Sequence, residues 1–156
     1  MASAFIVGVI SDTHGVLHPQ ALAALAGSQL IIHAGDLGSP DILPALRRIA
    51  PVTAVRGNID TRPWAAKIPG AAAVEAGSHW LYVLHDLKHL DLDPRAAGFA
   101  AVISGHTHVP LQEMRDGVLF LNPGSAGPRR FRLPVSLARL KIGRELQAEL
   151  MVLGRL

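Results

Sequence analysis

Short apolar runs alternate with polar breaks along this chain, and the runs come in two styles. Residues 4–10 are apolar and bounded, and predict a central strand. Residues 19–26 predict a short helix, with Pro19 at its start and Gly27 at its stop. Residues 29–34 predict a second strand. A helix then begins near Ser39-Pro40-Asp41, with Ser39 as N-cap, and runs to about Ala50, where Pro51 stops it. Residues 52–55 predict a third strand, and 61–70, with two prolines and Trp64, a loop. Residues 71–76 and 80–84 predict strands on either side of the Gly77-Ser78 turn. Residues 91–97 predict a short helix stopped by Gly98, and 100–103 a buried strand. The style then changes. Runs 109–115 and 118–121 flank Asp116-Gly117, and runs 135–142 and 145–152 flank Gly143-Arg144, so each pair predicts a hairpin. Strand–helix units followed by hairpins predict an α/β fold: two packed sheets with helices outside, in one domain over residues 1–156.

The polar breaks carry the chemistry. The first run ends in Ser11-Asp12-Thr13-His14, the second in Gly35-Asp36, and the third in Arg56-Gly57-Asn58-Ile59-Asp60. The run at 80–84 ends in His85-Asp86, and that at 100–103 in Gly105-His106-Thr107-His108. In extended chain, residues two apart point the same way, so each Asp-x-His or His-x-His pair is expected to face one point. In open α/β sheets, ligands gather beyond the carboxyl ends of strands. Asp12, His14, Asp36, Asn58, His85, His106 and His108 offer two carboxylates, one amide and four imidazoles. That is too many for one tetrahedral zinc and suits two ions sharing a bridge. Asp36, alone after its strand, is the expected bridge. Two divalent ions, two carboxylates and one bridging hydroxide leave a formal surplus of about one positive charge, which a phosphate ester would balance.

Composition narrows the setting. Of 156 residues, 49% are hydrophobic and 17% charged, which argues against disorder. There is no cysteine, so a metal must use His, Asp, Glu or Asn; this also fits a cytoplasmic protein. No apolar run approaches the ~18 residues of a membrane span, and no basic region precedes the first run, so neither membrane nor leader is expected. Lys and Arg exceed Asp and Glu only by 15 to 12, a mild field that favours a small anionic substrate over polymeric nucleic acid.

Taken in order, Asp12-x-His14, Gly35-Asp36, Gly57-Asn58, His85 and Gly105-His106-x-His108 resemble the motifs of the calcineurin-like metallophosphoesterases. Arg56-Gly57-Asn58-Ile59-Asp60 and Asn122-Pro123-Gly124-Ser125 resemble its small YfcE-like phosphodiesterase branch. The resemblance covers residues 5 to about 130. It implies a four-layer α/β/β/α sandwich of two mixed sheets flanked by helices. It also implies a dinuclear centre: one ion on Asp12, His14, Asp36 and His108, the other on Asp36, Asn58, His85 and His106. The ions would be manganese, with zinc, iron, nickel or cobalt as alternatives. The implied reaction is hydrolysis of phosphate diesters, and of monoesters second, by a metal-bridging hydroxide. Asp36, Asn58 and His106 are the expected catalytic residues, with Arg56 near the phosphate and Asp60 orienting ligands. Two positions depart from the pattern. Ile59 stands where the larger family often has His, and Asp86 where the branch usually has Gly. Asp86 could orient an imidazole, and His18 or His89 could stand in as the acid.

Other readings are of different classes. A non-catalytic protein-binding scaffold shares this fold in a retromer subunit, and a metal-binding regulator with vestigial turnover would keep the same ligands. His33 lies inside a strand and reads as a core or supporting residue, Trp64 as packing, and residues 129–132 as a basic loop. Residues 122–125 read as a turn lining the site without chemistry of its own. Residues 135–140 offer an apolar strand that could pair between chains in a homo-oligomer.

Overall fold

In the computed structural model, residues 4–154 are described. The runs predicted as strands form β1 (Phe5–Ile10), β2 (Leu30–His33), β3 (Val52–Ala54), β4 (Ala71–Ala76), β5 (His79–Leu84), β6 (Phe99–Ile103), β7 (Leu111–Arg115), β8 (Val118–Asn122), β9 (Ser136–Ile142) and β10 (Leu146–Val152). They build two five-stranded mixed sheets, ordered β10-β9-β1-β2-β3 and β4-β5-β6-β8-β7. β1, β2 and β3 run parallel, as do β5, β6 and β8. The sheets pack face to face, with Val7, Val9 and Ile32 of one meeting Leu81, Ile103 and Leu121 of the other in a shared core. Each such side chain, fully buried, contributes roughly 1.5–3 kcal/mol.

Helices α1 (Pro19–Leu25) and α2 (Ile42–Arg47) cover the outer face of the first sheet. Ala21 and Leu25 of α1 and Ile42 and Leu46 of α2 pack there with Ile10, Ile31 and Leu137. α2 starts later than expected: Ser39 Oγ accepts from the Asp41 N–H at 3.2 Å, closing a turn ahead of the helix. The outer face of the second sheet, with Val102, Val118 and Phe120, is covered by Leu87 and Leu90 from a segment that begins with the 3-10 turn Leu87–His89. The helix expected over 91–97 does not form. Asp93 Oδ1 accepts from the Arg95 and Ala96 N–H groups, Ala97 N–H bonds to Asp93 C=O, and Gly98 at φ 87° ends the turn. One closed turn is all that segment has room for, and a single turn is the costly part of a helix.

The strand expected to pair between chains is β9, and it lies inside the sheet, bonded to β1 on one side and β10 on the other. Both its edges are used, so it cannot serve that purpose. No helix among the described residues is long and apolar enough to cross a membrane.

Candidate metal centre

The carboxyl ends of β1, β2 and β3 meet those of β5 and β6 at one end of the sandwich. Gly105 N–H bonds to His85 C=O at 2.9 Å, and His85 Nδ1 donates to Ala34 C=O at 2.7 Å across the seam between sheets. All seven residues expected from the sequence converge there.

They fall into two halves. His14 and His108 face each other with Nε2 atoms 3.3 Å apart, and Asp12 Oδ1 lies 3.3 Å from His108 Nε2 and 3.8 Å from His14 Nε2. In the other half, Asn58 Oδ1 lies 3.1 Å from His85 Nε2 and 3.2 Å from His106 Nδ1. Asp36 sits between: its Oδ2 is 3.3 Å from His85 Nε2 and 3.7 Å from His14 Nε2. Asp12 Oδ1 also reaches toward the second half, 3.9 Å from His85 Nε2.

The backbone corrects one expectation. His106 and His108 are not in extended chain, because β6 ends at Ile103 and both residues are left-handed, at φ 74° and 64°. They serve different halves rather than one point. Asp12, His14 and Asp36 are left-handed too, at 54°, 47° and 59°. Such backbone costs an L-residue about 1 kcal/mol each, and here it is concentrated in the candidate ligands.

The loops can approach this closely because of their glycines. A Cβ on Gly57 would collide with the Asp36 carboxylate, and one on Gly105 with Ser11 Oγ. Supporting bonds fix the rest. Ser11 Oγ donates to Asp12 Oδ2 at 2.6 Å, His106 N–H donates to the same oxygen at 3.1 Å, and Ile59 N–H donates to Asp36 Oδ1 at 3.1 Å. Asn122 Nδ2 donates to Gly105 C=O at 2.9 Å, and Ser125 Oγ to Asp12 C=O at 2.9 Å. The turn at 122–125 therefore braces the ligand loops. Sequence reasoning read 122–125 as a turn lining the site but did not foresee that Asn122 and Ser125, with Ser11, hold the ligand loops; for Ser11 the available signal was a small polar residue directly after a buried strand.

Asp60 and Arg56 separate. Asp60 is buried, and its carboxylate accepts from the N–H groups of Leu37 at 3.1 Å, Gly38 at 3.1 Å and Gly57 at 2.9 Å. Its carboxylate ties the Asp36 loop to the Asn58 loop through their backbone amides. Arg56 is exposed and lines a cleft of ≈ 350 Å³ with Asn58, His85, Asp86, His89 and His106. Ile59 is 42% exposed. Asp86 Oδ2 lies 3.7 Å from His106 Nε2, on the side of the ring away from Asn58. His18 Nε2 donates to Gly127 C=O at 3.1 Å, whereas His89 stands exposed in the cleft. Trp64 packs beneath the helices.

The electrostatics prepare these groups as ligands. Burial raises the Asp12 carboxyl, but the neighbouring His108 imidazole and the bond from Ser11 outweigh it and hold the group below its ordinary value. Asp36 is likewise held low, burial being overcome by His85 and the Ile59 N–H. Burial pushes His14 down despite both carboxylates, whereas His85 is raised because Asp36 and Ala34 outweigh its burial.

A divalent cation fits. Asp12 Oδ1 is buried with no hydrogen-bond partner, an expensive state for a carboxylate oxygen unless a cation satisfies it. His85 Nδ1 must carry its proton to bond Ala34, which leaves the Nε2 lone pair facing Asp36 and Asn58. Asp12, His14 and His108 form one group with ligand-atom spacing for an ion, and Asp12, Asp36 and His85 another. A mixed oxygen and imidazole set suits manganese, iron, zinc or cobalt.

Two sheets closing on such a centre define a metal-dependent phosphoesterase fold, and comparison with known proteins agrees. The calcineurin-like phosphoesterase superfamily domain matches residues 5–145, and the chain belongs to that family. A probable metallophosphoesterase from Methanothermobacter thermautotrophicus is 36% identical, covering 96% of this chain and 93% of its own. A solved archaeal phosphodiesterase is similar at TM-score 0.77 and 23% identity, over 94% of this chain and 99% of that one. The YfcE phosphoesterase of E. coli gives TM-score 0.68 at 23% identity, over 86% and 87%. Vacuolar Protein Sorting 29 from Cryptosporidium parvum gives 0.76 at 19%, over 96% and 98%. At these identities the structural likenesses carry the fold alone.

Proposed function

We propose that this chain is a phosphodiesterase acting on small phosphate diesters, with monoesters as second substrates, at a centre of two divalent cations. Asp12, His14, Asp36 and His108 would hold one ion, and Asp36, Asn58, His85 and His106 the other. The observation that carries this reading is the place of Asp36 Oδ2, within 3.3 and 3.7 Å of one imidazole from each half. Bound there, divalent cations would lower the pKa of bound water and neutralise phosphoryl oxygens. The chain's own groups do the rest. Arg56, which lines the cleft, would pair with a phosphate oxygen. Asp60 holds the two ligand loops in register. His89, which lines the same cleft, would give a proton to the departing alkoxide, a role the Ile59 side chain cannot fill. Water adds to phosphorus, the P–O bond breaks, and a monoester and an alcohol leave. Manganese is the proposed native ion, and the cytoplasm the proposed setting.

The test is hydrolysis of bis-p-nitrophenyl phosphate by metal-stripped protein, with and without manganese. That leaving group needs no acid, so Ile59 does not obscure the result. Manganese-dependent turnover is expected, with two ions per chain by elemental analysis and loss of one ion and at least ~10³-fold in rate in Asp36→Asn. Asp36→Asn with intact metal content and rate would overturn the assignment. Absence of turnover with manganese, zinc, nickel and cobalt alike would leave a non-catalytic member of the family.

A further inference from the structure

Residues 129–132, Arg-Arg-Phe-Arg, form an exposed tip with no part in the centre described above. Leu133 N–H bonds to Arg130 C=O at 3.0 Å, closing a turn with Phe131 at its first central position. Phe131 is left-handed there, at φ 53°, and 93% exposed. Glycine or asparagine suits that position; a bulky aromatic is a genuine outlier. The chain thus spends backbone strain to hold a phenyl ring in water. The three arginines around it make no ion pair among the described residues.

The tip is bolted to the centre. Ala126 N–H bonds to Ser11 C=O at 3.0 Å, and Ser125 Oγ to Asp12 C=O at 2.9 Å. Gly127 lies so close to the Asp12 and Thr13 carbonyls that a Cβ would not fit. Arg130 follows three residues later, so its Cα lies no more than about 11 Å from that of Gly127.

We propose that this tip is the subsite for the rest of the substrate, and that the substrate is nucleotidic: a base stacks on Phe131 and a second phosphate pairs with Arg129 and Arg130. The assignment rests on the phosphodiesterase reading and gives that site its substrate class. Stacking on an exposed aromatic is sequence-tolerant and contributes about 10- to 100-fold in affinity. Guanidinium forks match phosphate geometry, and unpaired ones carry no partner to displace. The ring and cations stand on a short arm from Asp12, so they meet a group attached to the reacting phosphorus rather than a distant polymer.

Three esters with one leaving group test this: methyl p-nitrophenyl phosphate, thymidine 5′-(p-nitrophenyl phosphate), and the latter carrying a 3′-phosphate. In the manganese-loaded protein, kcat/KM should rise about tenfold or more from the methyl to the thymidine ester, and again with the 3′-phosphate. Phe131→Gly should erase most of the first ratio, and Arg130→Ala most of the second. Phe131→Gly should also raise Tm by a few degrees by relieving the turn, which a merely structural role would not couple to lost discrimination. A second readout is calorimetric binding of thymidine 3′,5′-bisphosphate, expected to weaken about tenfold in either variant. Unchanged ratios and unchanged bisphosphate affinity in both variants would overturn the subsite. Should no ester be hydrolysed, the phosphodiesterase reading fails, and the binding measurement still decides the subsite: weakening in the variants supports it, equal affinity overturns it.

Discussion

His33 shows what a single buried residue contributes. It is fully buried and one strand-end away from the ligands, yet takes no part in them. Gly35 N–H donates to its Nδ1 at 3.1 Å, so the ring proton sits on Nε2 and is donated to Thr13 Oγ1 at 3.0 Å. The Thr13 hydroxyl passes the chain on to Leu37 C=O at 2.9 Å. This relay ties the loop after β1 to the loop after β2. Burial holds the His33 pKa down at about 4. The unfolded chain, near 6.5, therefore takes up a proton first. Its stabilising effect is complete above pH 6.5 and drains away as pH falls toward 4, about 3 kcal/mol over the whole window. Nitrogen-detected spectra of the metal-free protein at pH 5.5 should show His33 neutral with its proton on Nε2. A protonated His33 ring at that pH would contradict the relay.

Among the loops and strands, Asp60 links two elements that both carry ligands. Its three backbone partners come from the segments holding Asp36 and Asn58. Asp60→Ala leaves buried N–H groups without acceptors and should cost about 2–3 kcal/mol in urea unfolding. It should also weaken manganese binding roughly 10- to 100-fold by calorimetry. A stable variant with unchanged metal affinity would show that the loops hold their own shape. At this scale the sequence was readable where a rule is local. The strands that lead into the centre were bounded apolar runs, and each candidate ligand sat just past one. The segment at 91–97 misled because Asp93 and Gly98 look the same at the two ends of one turn as at the ends of a helix. The His106 and His108 directions misled because alternation holds only in extended chain, and both residues are left-handed, a conformation that Asp and His adopt more readily than most but that their presence does not require. Asp60 was noticed as a neighbour of Asn58, but the two amides it takes from the Asp36 loop, 22 and 23 residues away, are a tertiary fact.

For the molecule as a whole, the centre straddles a seam. Asp12, His14, Asp36 and Asn58 follow strands of the first sheet, and His85, His106 and His108 follow strands of the second. A cation bound between them closes one end of the sandwich and exists only in the folded state. At a free ion concentration of 100 Kd this adds about 2.7 kcal/mol per site, or roughly 5–10 °C in Tm for a chain of this size. Thermal melts with manganese and with chelator should differ by at least that much, and coincident melts would mean that the seam does not bind the ion. The pairing of β1 has a further consequence. Its neighbours are β2, made next, and β9, made near the end of the described chain. A ribosome thus releases β1 long before it can supply β9. For most of synthesis the central strand carries one raw edge of unpaired amides and carbonyls. The strand that leads into the first candidate metal ligand is among the first to emerge and among the last to be sealed.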